Sequence, residues 1–347
     1  MKKKGLYSAI LSAMLFGISP VACKAIVGDM PAALLAGLLY AGSAVGLTGV
    51  VFLKPALEFE ALRALTPRQW LNLAGAIVTG GIVAPLFLAY GIRSGTAAEV
   101  SLLLNFESVA TTLIAWLIFH EHIGPRVWIG KVLIVGASVI IVITGRAGLH
   151  LSIPGLAVLT ACLFWGIDNN LTREMESLPA SLLACIKGWC AGTFNILLFY
   201  LLFRSPLALF QVGGVLVIGA LGIGASLVLF IHALREIGAA RTSTWFASGP
   251  FIGTILAITV LGERPPVQYW LAALIMISGM VLLFWEMHAH GHQHERQAHS
   301  HLHAHDEHHQ HSHEHEERHG THDHFHEHAP MIHAHEHWPD IHHRHVH

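Results

Sequence analysis

The sequence predicts an all-α polytopic membrane protein in which ten transmembrane helices form two inverted five-helix repeats, followed by a disordered cytoplasmic tail. Only 12% of the residues are charged, 53% are hydrophobic and the mean hydropathy is +0.55, a composition typical of membrane proteins. Apolar runs of about 20 residues, long enough to cross a bilayer, recur as far as Trp285. We divide the chain into a first repeat at 1–147, a second at 148–287 and a histidine-rich tail at 288–347.

Hydropathy averaged over about 19 residues locates the individual spans. Each is bounded by a loop that contains Pro, Gly or charged residues. The predicted spans are Leu6–Val27, Ala32–Leu53, Trp70–Ile92, Ala97–Phe119, Val127–Thr144, Ile153–Leu171, Leu182–Phe203, Val212–Ala233, Thr242–Leu261 and Val267–Trp285.

The lysines and arginines of the short loops indicate the orientation, because they concentrate on the cytoplasmic side. With the N-terminus inside, eleven of these residues lie on the inner side and four, Arg93, Arg146, Arg204 and Arg264, on the outer side. An even number of spans returns the C-terminus to the inner side. We therefore expect a multi-pass protein of the inner (plasma) membrane with both termini in the cytoplasm.

The longest internal loop, Lys54 to Gln69, alternates leucines with charged residues, so we expect part of it to lie on the inner membrane surface. At its end, Thr66 can cap a helix, Pro67 suits the first helical position and Gln69 can complete a capping box. The third span is predicted to start there.

Two patterns occur once in each half. Leu15-Phe16-Gly17-Ile18 with Lys24 matches Phe164-Trp165-Gly166-Ile167 with Arg173 at an offset of 149. The segment 112–116 leading to Glu121 matches 254–258 leading to Glu263 at an offset of 142. Because five spans is an odd number, the halves would cross the membrane in opposite senses. That is the architecture of secondary carriers with a site at the repeat interface.

These motifs resemble the EamA-type transporters of the drug/metabolite transporter superfamily. The likeness rests on the Phe/Trp-Gly signature in the first helix of each half, on the Ala-rich entry to the fourth (95–98 and 238–241), and on the glutamate after it. It covers about Leu6 to Trp285. The resemblance implies a ten-helix carrier that usually exports small organic metabolites. The tail, with 338–345 as its distinctive part, is similar to that of a subgroup with His-rich C-termini.

One departure from the family concerns the fourth helix of the first half. Members usually carry a proline in the middle of the fourth helix of each half, and Pro250 fills that place in the second. The first half has Glu107-Ser108 instead. A charge is therefore expected where the family has a helix break.

Glu107 is the leading functional candidate, with Asn105 beside it. A carboxylate near the middle of a span costs at least a few kcal/mol unless it is paired, protonated or hydrated. Glu107 could bind a cation or take up a proton. The alternative is a structural ion pair, for example with Lys187.

Asp168, Asn169 and Asn170 form a second polar cluster, in the sixth span. On a helix, Trp165, Asp168 and Thr172 share one face, and Asn169 and Arg173 share a neighbouring one. An aromatic wall with a carboxylate and amides suits a hydrophilic or cationic substrate. Interhelical hydrogen bonding is the structural alternative.

Four other charged residues are weaker candidates. We expect Glu99 and Lys187 to reach the headgroups from near helix ends. We expect Glu121 and Glu263, at repeat-equivalent helix ends, to cap or pair structurally.

From His288 the composition changes: 25 of the last 60 residues are His, with ten Asp or Glu and three Arg. Such a segment lacks the apolar content for a core, so it is expected to be disordered without a ligand. Neutral imidazole is a common ligand of zinc, nickel and cobalt, and alternating histidines let an extended chain offer several nitrogens to one ion. A pH-responsive tail is the alternative. The candidate metal ligands are His299, His301, His303, His305, His311, His313, His315, His322, His324, His326 and His328.

Two functions are compatible with these features. The first is a secondary-active carrier that exports a small polar metabolite by alternating access, with a tail that binds divalent metal and regulates transport. The second is a carrier of the divalent metal, with Glu107, Asn105 and Asp168 as transit site and the tail collecting cytosolic ions. No nucleophile, catalytic dyad or phosphate loop indicates an enzyme. The expected partners are the lipid bilayer, a small-molecule substrate and divalent metal ions, with no nucleic acid and no required cofactor.

The topology is directly testable. A reporter fused after His347 and one inserted in the Lys54 to Gln69 loop should both report cytoplasm, whereas one near Gly148 should report the opposite side. The reason is the positive-inside bias combined with five spans in each half. Reporter activity in whole cells measures each position, and a tail found outside would refute the orientation.

Overall fold

The computed structural model describes residues 3–53, 60–119, 123–145, 148–149, 151–175, 178–203, 209–237, 242, 245–284, 288–294, 297–303, 322–328 and 331–337. The chain divides into two compact units. One is the body, Met1–Glu286 together with Asp340–His347, and the other is Met287–Pro339. The candidate ligands His305, His311, His313 and His315 lie outside the described residues.

The body is built from helices, with one two-residue strand pair, Thr144–Gly145 (β1) and Gly148–Leu149 (β2). The helices are α1 Lys3–Ile26, α2 Ala32–Phe52, α3 Pro67–Ala76, α4 Ala84–Ser94, α5 Ala97–Leu103, α6 Phe106–Phe119, α7 Pro125–Ile143, α8 Ile153–Arg173, α9 Ala180–Leu202, α10 Leu209–Ile218, α11 Ser226–Ile237, α12 Gly249–Thr259 and α13 Val267–Phe284.

The described residues contain seven helical segments long and apolar enough to cross a membrane. Two shorter apolar helices, α12 and α13, follow later in the chain. The 21-residue α8 carries the polar cluster of Asp168 and its neighbours. The protein is therefore a polytopic membrane protein. A helical segment lies within each of the ten predicted spans, while the count of ten membrane crossings stays a prediction.

The capping box at the start of the third span is confirmed. The Thr66 side chain accepts a hydrogen bond from the Gln69 backbone N–H at 3.3 Å, and the Thr66 backbone N–H donates to Gln69 Oε1 at 2.9 Å. Pro67 occupies the first turn of α3, where a missing N–H costs nothing.

The fourth span is not the continuous helix that was expected, because it breaks at Leu104–Asn105, between α5 and α6. The break needs no proline. The Asn105 amide donates to the Leu102 carbonyl at 3.2 Å and the Ser108 hydroxyl donates to the Asn105 carbonyl at 2.9 Å. The same two carbonyls also accept backbone bonds from the N–H groups of Asn105 and Ser108, three residues on, so the side chains support a tighter turn at the break.

A hydrogen bond from a side chain to a backbone carbonyl also occurs in the second half, just before α12. The Ser248 hydroxyl donates to the Trp245 carbonyl at 2.6 Å, at a turn that precedes Gly249 and Pro250. Both halves therefore interrupt their fourth helix, one with a proline and one without.

Two π-helical segments interrupt the third and eighth spans. The first, Ile77–Val83, joins α3 to α4, and the second, Gly219–Ala225, joins α10 to α11. Their positions differ by 142 residues, the offset found between the halves of the sequence. Such segments occur frequently at functional sites.

The first helix of each half makes backbone contact with the fourth helix of the other half. A β-carbon added at Gly17 of α1 would overlap the Gly249 carbonyl of α12, and one at Gly166 of α8 would lie 2.8 Å from Ala110 of α6. Glycine is required at both places because any side chain would push the helices apart. We call these two backbone contacts, at Gly17 and at Gly166, the seams between the halves.

In the tail, the strands are His288–His294 (β3), Gln297–His303 (β4), His322–His328 (β5) and Met331–His337 (β6). They form two antiparallel pairs, β3 with β6 and β4 with β5. Isolated two-stranded pairs are marginally stable in water. Disorder of the tail in the absence of a ligand stays a prediction.

Candidate functional site

An ion pair inside the helical bundle forms the centre of the site. Lys187 Nζ of α9 lies 2.6 Å from both carboxylate oxygens of Asp168 on α8. The Thr172 hydroxyl, one turn further along α8, donates to Asp168 Oδ1 at 3.1 Å. Only 7% of the Asp168 side chain and 14% of the Lys187 side chain are exposed. The two charges neutralise each other in a place closed to solvent.

The first π-helical segment makes room for this pair. A β-carbon at Gly80 would overlap the Asp168 carboxylate, so only glycine fits there. The Gly80 carbonyl accepts two hydrogen bonds, from the Tyr40 hydroxyl at 2.6 Å and from Trp165 Nε1 at 3.1 Å. Tyr40 on α2 and Trp165 on α8 thus fix the segment against Asp168.

Glu107 lies on the neighbouring face of the same cluster. Its Oε1 accepts a hydrogen bond from the Asn169 amide at 2.9 Å, and the same amide nitrogen lies 3.1 Å from the Thr111 hydroxyl. Asn170 anchors the two helices nearby, because its amide donates to the Thr111 carbonyl at 3.1 Å. Glu107 also interacts electrostatically with Asp168 and Lys187.

The two parts of the cluster differ in access. Asp168 is buried, whereas Asn169 is exposed and Glu107 and Thr111 are half-buried. Asn169, Glu107 and Thr111 thus form the more exposed part of the cluster. The Lys187 ammonium is bound to Asp168, whereas the hydrogen-bond partner of Glu107 is the neutral Asn169 amide.

The cluster joins the two halves of the sequence. Gly80 and Glu107 come from the first half and accept hydrogen bonds from Trp165 and Asn169 of the second half, while Tyr40 donates to Gly80 within the first half. A site between the halves is where an alternating-access carrier would place it.

The amide of Asn105, a predicted site residue, makes its contacts outside this cluster. Asn105 is buried at the helix break, where its amide contacts the Leu102 carbonyl and Met276 Sδ, the latter at 3.9 Å. Arg173 lies in the last turn of α8, one turn beyond Asn169. Trp165, Asp168, Asn169 and Glu107 are brought together as predicted.

Lys187 was misjudged, because it was expected at the headgroups or paired with Glu107. It lies inside the bundle and pairs with Asp168. Tyr40 and Thr111 were missed, since single hydroxyl residues in apolar helices give no signal in the sequence. Lys131 is buried near the start of α7, and its Nζ donates to the Ser108 carbonyl at 2.9 Å.

The weaker carboxylates also have defined places. Glu99 is buried rather than exposed to headgroups, and it contacts the Ser152 hydroxyl at the start of α8. Glu263 caps a helix as expected, since its carboxylate accepts hydrogen bonds from the Ala97 and Ala98 N–H groups. Glu121 lies outside the described residues.

The strand register shows which residues lie opposite the candidate metal ligands of the tail. In β4 and β5, histidines lie opposite histidines: His299 with His326, His301 with His324 and His303 with His322. His328 lies opposite Gln297 at the end of the pair.

The chain is similar to known transporters over most of its length. It is 24% identical over 299 residues to an uncharacterized transporter of Methanothermobacter thermautotrophicus, covering 81% of this chain and 86% of that protein. It is 23% identical over 309 residues to a probable amino-acid metabolite efflux pump of Salmonella typhimurium, covering 81% of this chain and 95% of the relative. One solved crystal structure has the same fold, with a TM-score of 0.59 at 16% identity, covering 81% of this chain and 94% of that one.

The model of the EamA-like transporter family matches the chain twice, at residues 3–143 and 153–285. The two matches leave out only short segments of the helical body, and each includes part of the cluster around Asp168 and Glu107. A transporter, rather than an enzyme, is therefore indicated by both the helical body and its relatives. The chain belongs to the EamA-like transporter family.

Proposed function

We propose that this chain is a secondary-active carrier of the inner membrane that exports a small polar metabolite by alternating access. In this proposal, ten helices form two inverted five-helix repeats and both termini are cytoplasmic. The observation that carries it is the accessible Glu107–Asn169–Thr111 group beside the sealed Asp168–Lys187 pair, at the junction of the halves.

The arrangement of the halves supports alternating access. The π-helical segments, the breaks in the fourth helices and the seams at Gly17 and Gly166 occur at matching places in both halves. Two equivalent halves in contact through backbone seams can rock about a site held between them. The double match to the family model supports the same duplication.

The chemistry of the site supports a substrate that carries a cationic group. Glu107 offers a carboxylate whose hydrogen-bond partner is a neutral amide, and Trp165 and Tyr40 supply aromatic surface nearby. An ammonium group can replace a proton at such a carboxylate, which would couple efflux to proton entry. The relative named as an amino-acid metabolite efflux pump makes amino compounds the first class to screen.

Transport of a divalent metal ion is the alternative, and the geometry favours it less. Its transit site would require Glu107, Asn105 and Asp168 together. In the structure Asp168 is occupied by Lys187 and Asn105 contacts Met276. A metal ion entering there would first have to displace a charge-paired lysine.

We assign metal binding to the tail, where it would regulate transport. In the register of β4 and β5, histidines lie opposite one another at three alternate pairs, and the same holds in β3 and β6, where His288, His290 and His292 lie opposite His337, His335 and His333. Opposite residues of antiparallel strands are about 5 Å apart, a spacing that lets two imidazoles share one zinc, nickel or cobalt ion.

Glu107→Gln tests the site. The substitution keeps size and hydrogen bonding but removes the charge and the exchangeable proton. If Glu107 couples transport to protons, proteoliposomes should lose gradient-driven accumulation while substrate exchange across the membrane persists. If Glu107 binds the cationic group directly, substrate binding should weaken by about 1.5–3 kcal/mol, the scale of a hydrogen bond to a charged group.

The matched control is Glu60→Gln, which removes an exposed carboxylate before the third span and should leave both measurements unchanged. Wild-type accumulation and binding in Glu107→Gln would refute the site assignment.

Deleting residues 288–347 tests the tail. The body should stay folded and inserted because no apolar span is lost, and turnover of the metabolite should persist without its metal dependence. Equilibrium dialysis with zinc or nickel should show loss of most bound ions.

A full-length variant with every tail histidine replaced by Gln keeps length and polarity and should behave like the deletion. Equal metal binding by that variant and the wild type would contradict the proposal, and unfolding of the truncated body would contradict the two-part organisation.

A further inference from the structure

The end of the bundle that contains Glu263 is closed by contacts between the halves. Glu263 follows α12, yet its two carboxylate oxygens bind helix α5 of the first half. Oε1 accepts from the Ala97 N–H at 2.8 Å and Oε2 accepts from the Ala98 N–H at 2.9 Å. Both donors belong to the first turn of α5, where N–H groups lack partners within the helix and the dipole favours a negative charge.

A third helix reaches the same place. Lys24, in the last turn of α1, interacts electrostatically with Glu263 and donates from Nζ to the Arg93 carbonyl at 2.9 Å. Below these polar contacts, Val21 packs with Ala97, Ala98 and Ala257. One glutamate therefore connects the ends of α1, α5 and α12, next to this small apolar cluster.

The cap of α5 is divided between the two halves of the molecule, because Thr96 of the first half satisfies only one of the free N–H groups in the first turn. The Thr96 side chain accepts from the Glu99 N–H at 3.1 Å. The two additional bonds come from the other half of the molecule, so they hold the halves together.

The seam continues one turn deeper, at Ser101 of α5. A β-carbon at Gly253 of α12 would lie 2.6 Å from both the Ser101 hydroxyl and the Gly17 carbonyl. Ser101 is 1% exposed, and its hydroxyl has no hydrogen-bond partner among the described residues. An unsatisfied hydroxyl costs free energy in this closed state, and hydration after the helices part would remove that cost.

We propose that Glu263 is the latch of the gate at this end of the pathway. Its bidentate bond to the first turn of α5 holds the gate shut, and the bond breaks when α5 and α12 separate in the transport cycle. The inference rests on alternating access as proposed above. It assigns a gating role to a residue outside the substrate cluster.

The test uses Ser101→Cys as a reporter in a Cys190→Ser background, since Cys190 is the exposed thiol among the native cysteines. The labelling rate with a membrane-impermeant maleimide is measured in whole cells and, for the opposite side, in inverted vesicles. In Glu263→Gln, the amide oxygen can accept one N–H, but the amide nitrogen faces the other donor. Labelling from the side of Glu263 should rise about tenfold, equal to about 1.4 kcal/mol in the gate equilibrium. Glu263→Asp keeps the charge on a shorter arm and should give a smaller rise.

Two controls separate a latch from a structural cap. Thr96→Ala removes the cap within the first half and should lower thermal stability without increasing labelling. Arg264→Gln changes the adjacent exposed charge and should change neither. Unchanged labelling in Glu263→Gln, an equal rise in Thr96→Ala, or a rise seen only from the opposite side would overturn the latch. Because labelling requires no substrate, increased labelling together with wild-type behaviour of Glu107→Gln would retain the gate and reject the substrate site.

Discussion

Asp168 and Lys187 place a negative and a positive charge in contact inside a largely apolar bundle. Neither charge is tolerable there alone, because an unpaired ion in a poorly solvated interior costs several kcal/mol. The pair therefore requires α8 and α9 to be adjacent at this level. It also requires a neighbour without a side chain, which Gly80 supplies. The π-helical segment and its two hydrogen bonds from Tyr40 and Trp165 follow from that requirement.

Neutralising Asp168 gives Glu107 its distinct character. With the lysine bound elsewhere, Glu107 has a neutral amide as its hydrogen-bond partner and partial access to solvent. Two carboxylates in one cluster thus have different partners, a lysine for Asp168 and a neutral amide for Glu107. The Glu263 contact acts at a distance from this cluster and concerns when the site opens rather than what it binds. Site and gate are connected through the broken fourth span, because α5 carries the N–H groups that Glu263 binds and α6 carries Glu107.

Sequence patterns predicted the features that depend on local chemistry or on bulk transfer into lipid. Apolar runs located the helices, and the capping box at Thr66 was predicted from four residues. The cost of burying charge identified Glu107 and Asp168. The predictions that failed were those that depend on which helices are neighbours in the structure. Because Lys187 is close to a helix end, it was predicted to reach the headgroups, but its ion pair with Asp168 of α8 holds it inside the bundle. Asn105 was predicted to share a site with Glu107 because the two are close in sequence, but at the helix break its amide contacts Met276. That break contains no proline from which it could be predicted; the Asn105 and Ser108 side chains bond to backbone carbonyls there.

A double-mutant cycle on the central ion pair tests this account most directly. Lys187→Met alone should destabilise the purified protein by about 3–5 kcal/mol, because it leaves Asp168 buried and unpaired. Adding Asp168→Asn should recover most of that loss, and the double variant should retain cation binding at Glu107. Unfolding in detergent monitored by tryptophan fluorescence gives the stabilities, and substrate binding is measured on the same samples. Additive losses in the cycle would contradict the claim that this pair organises the site.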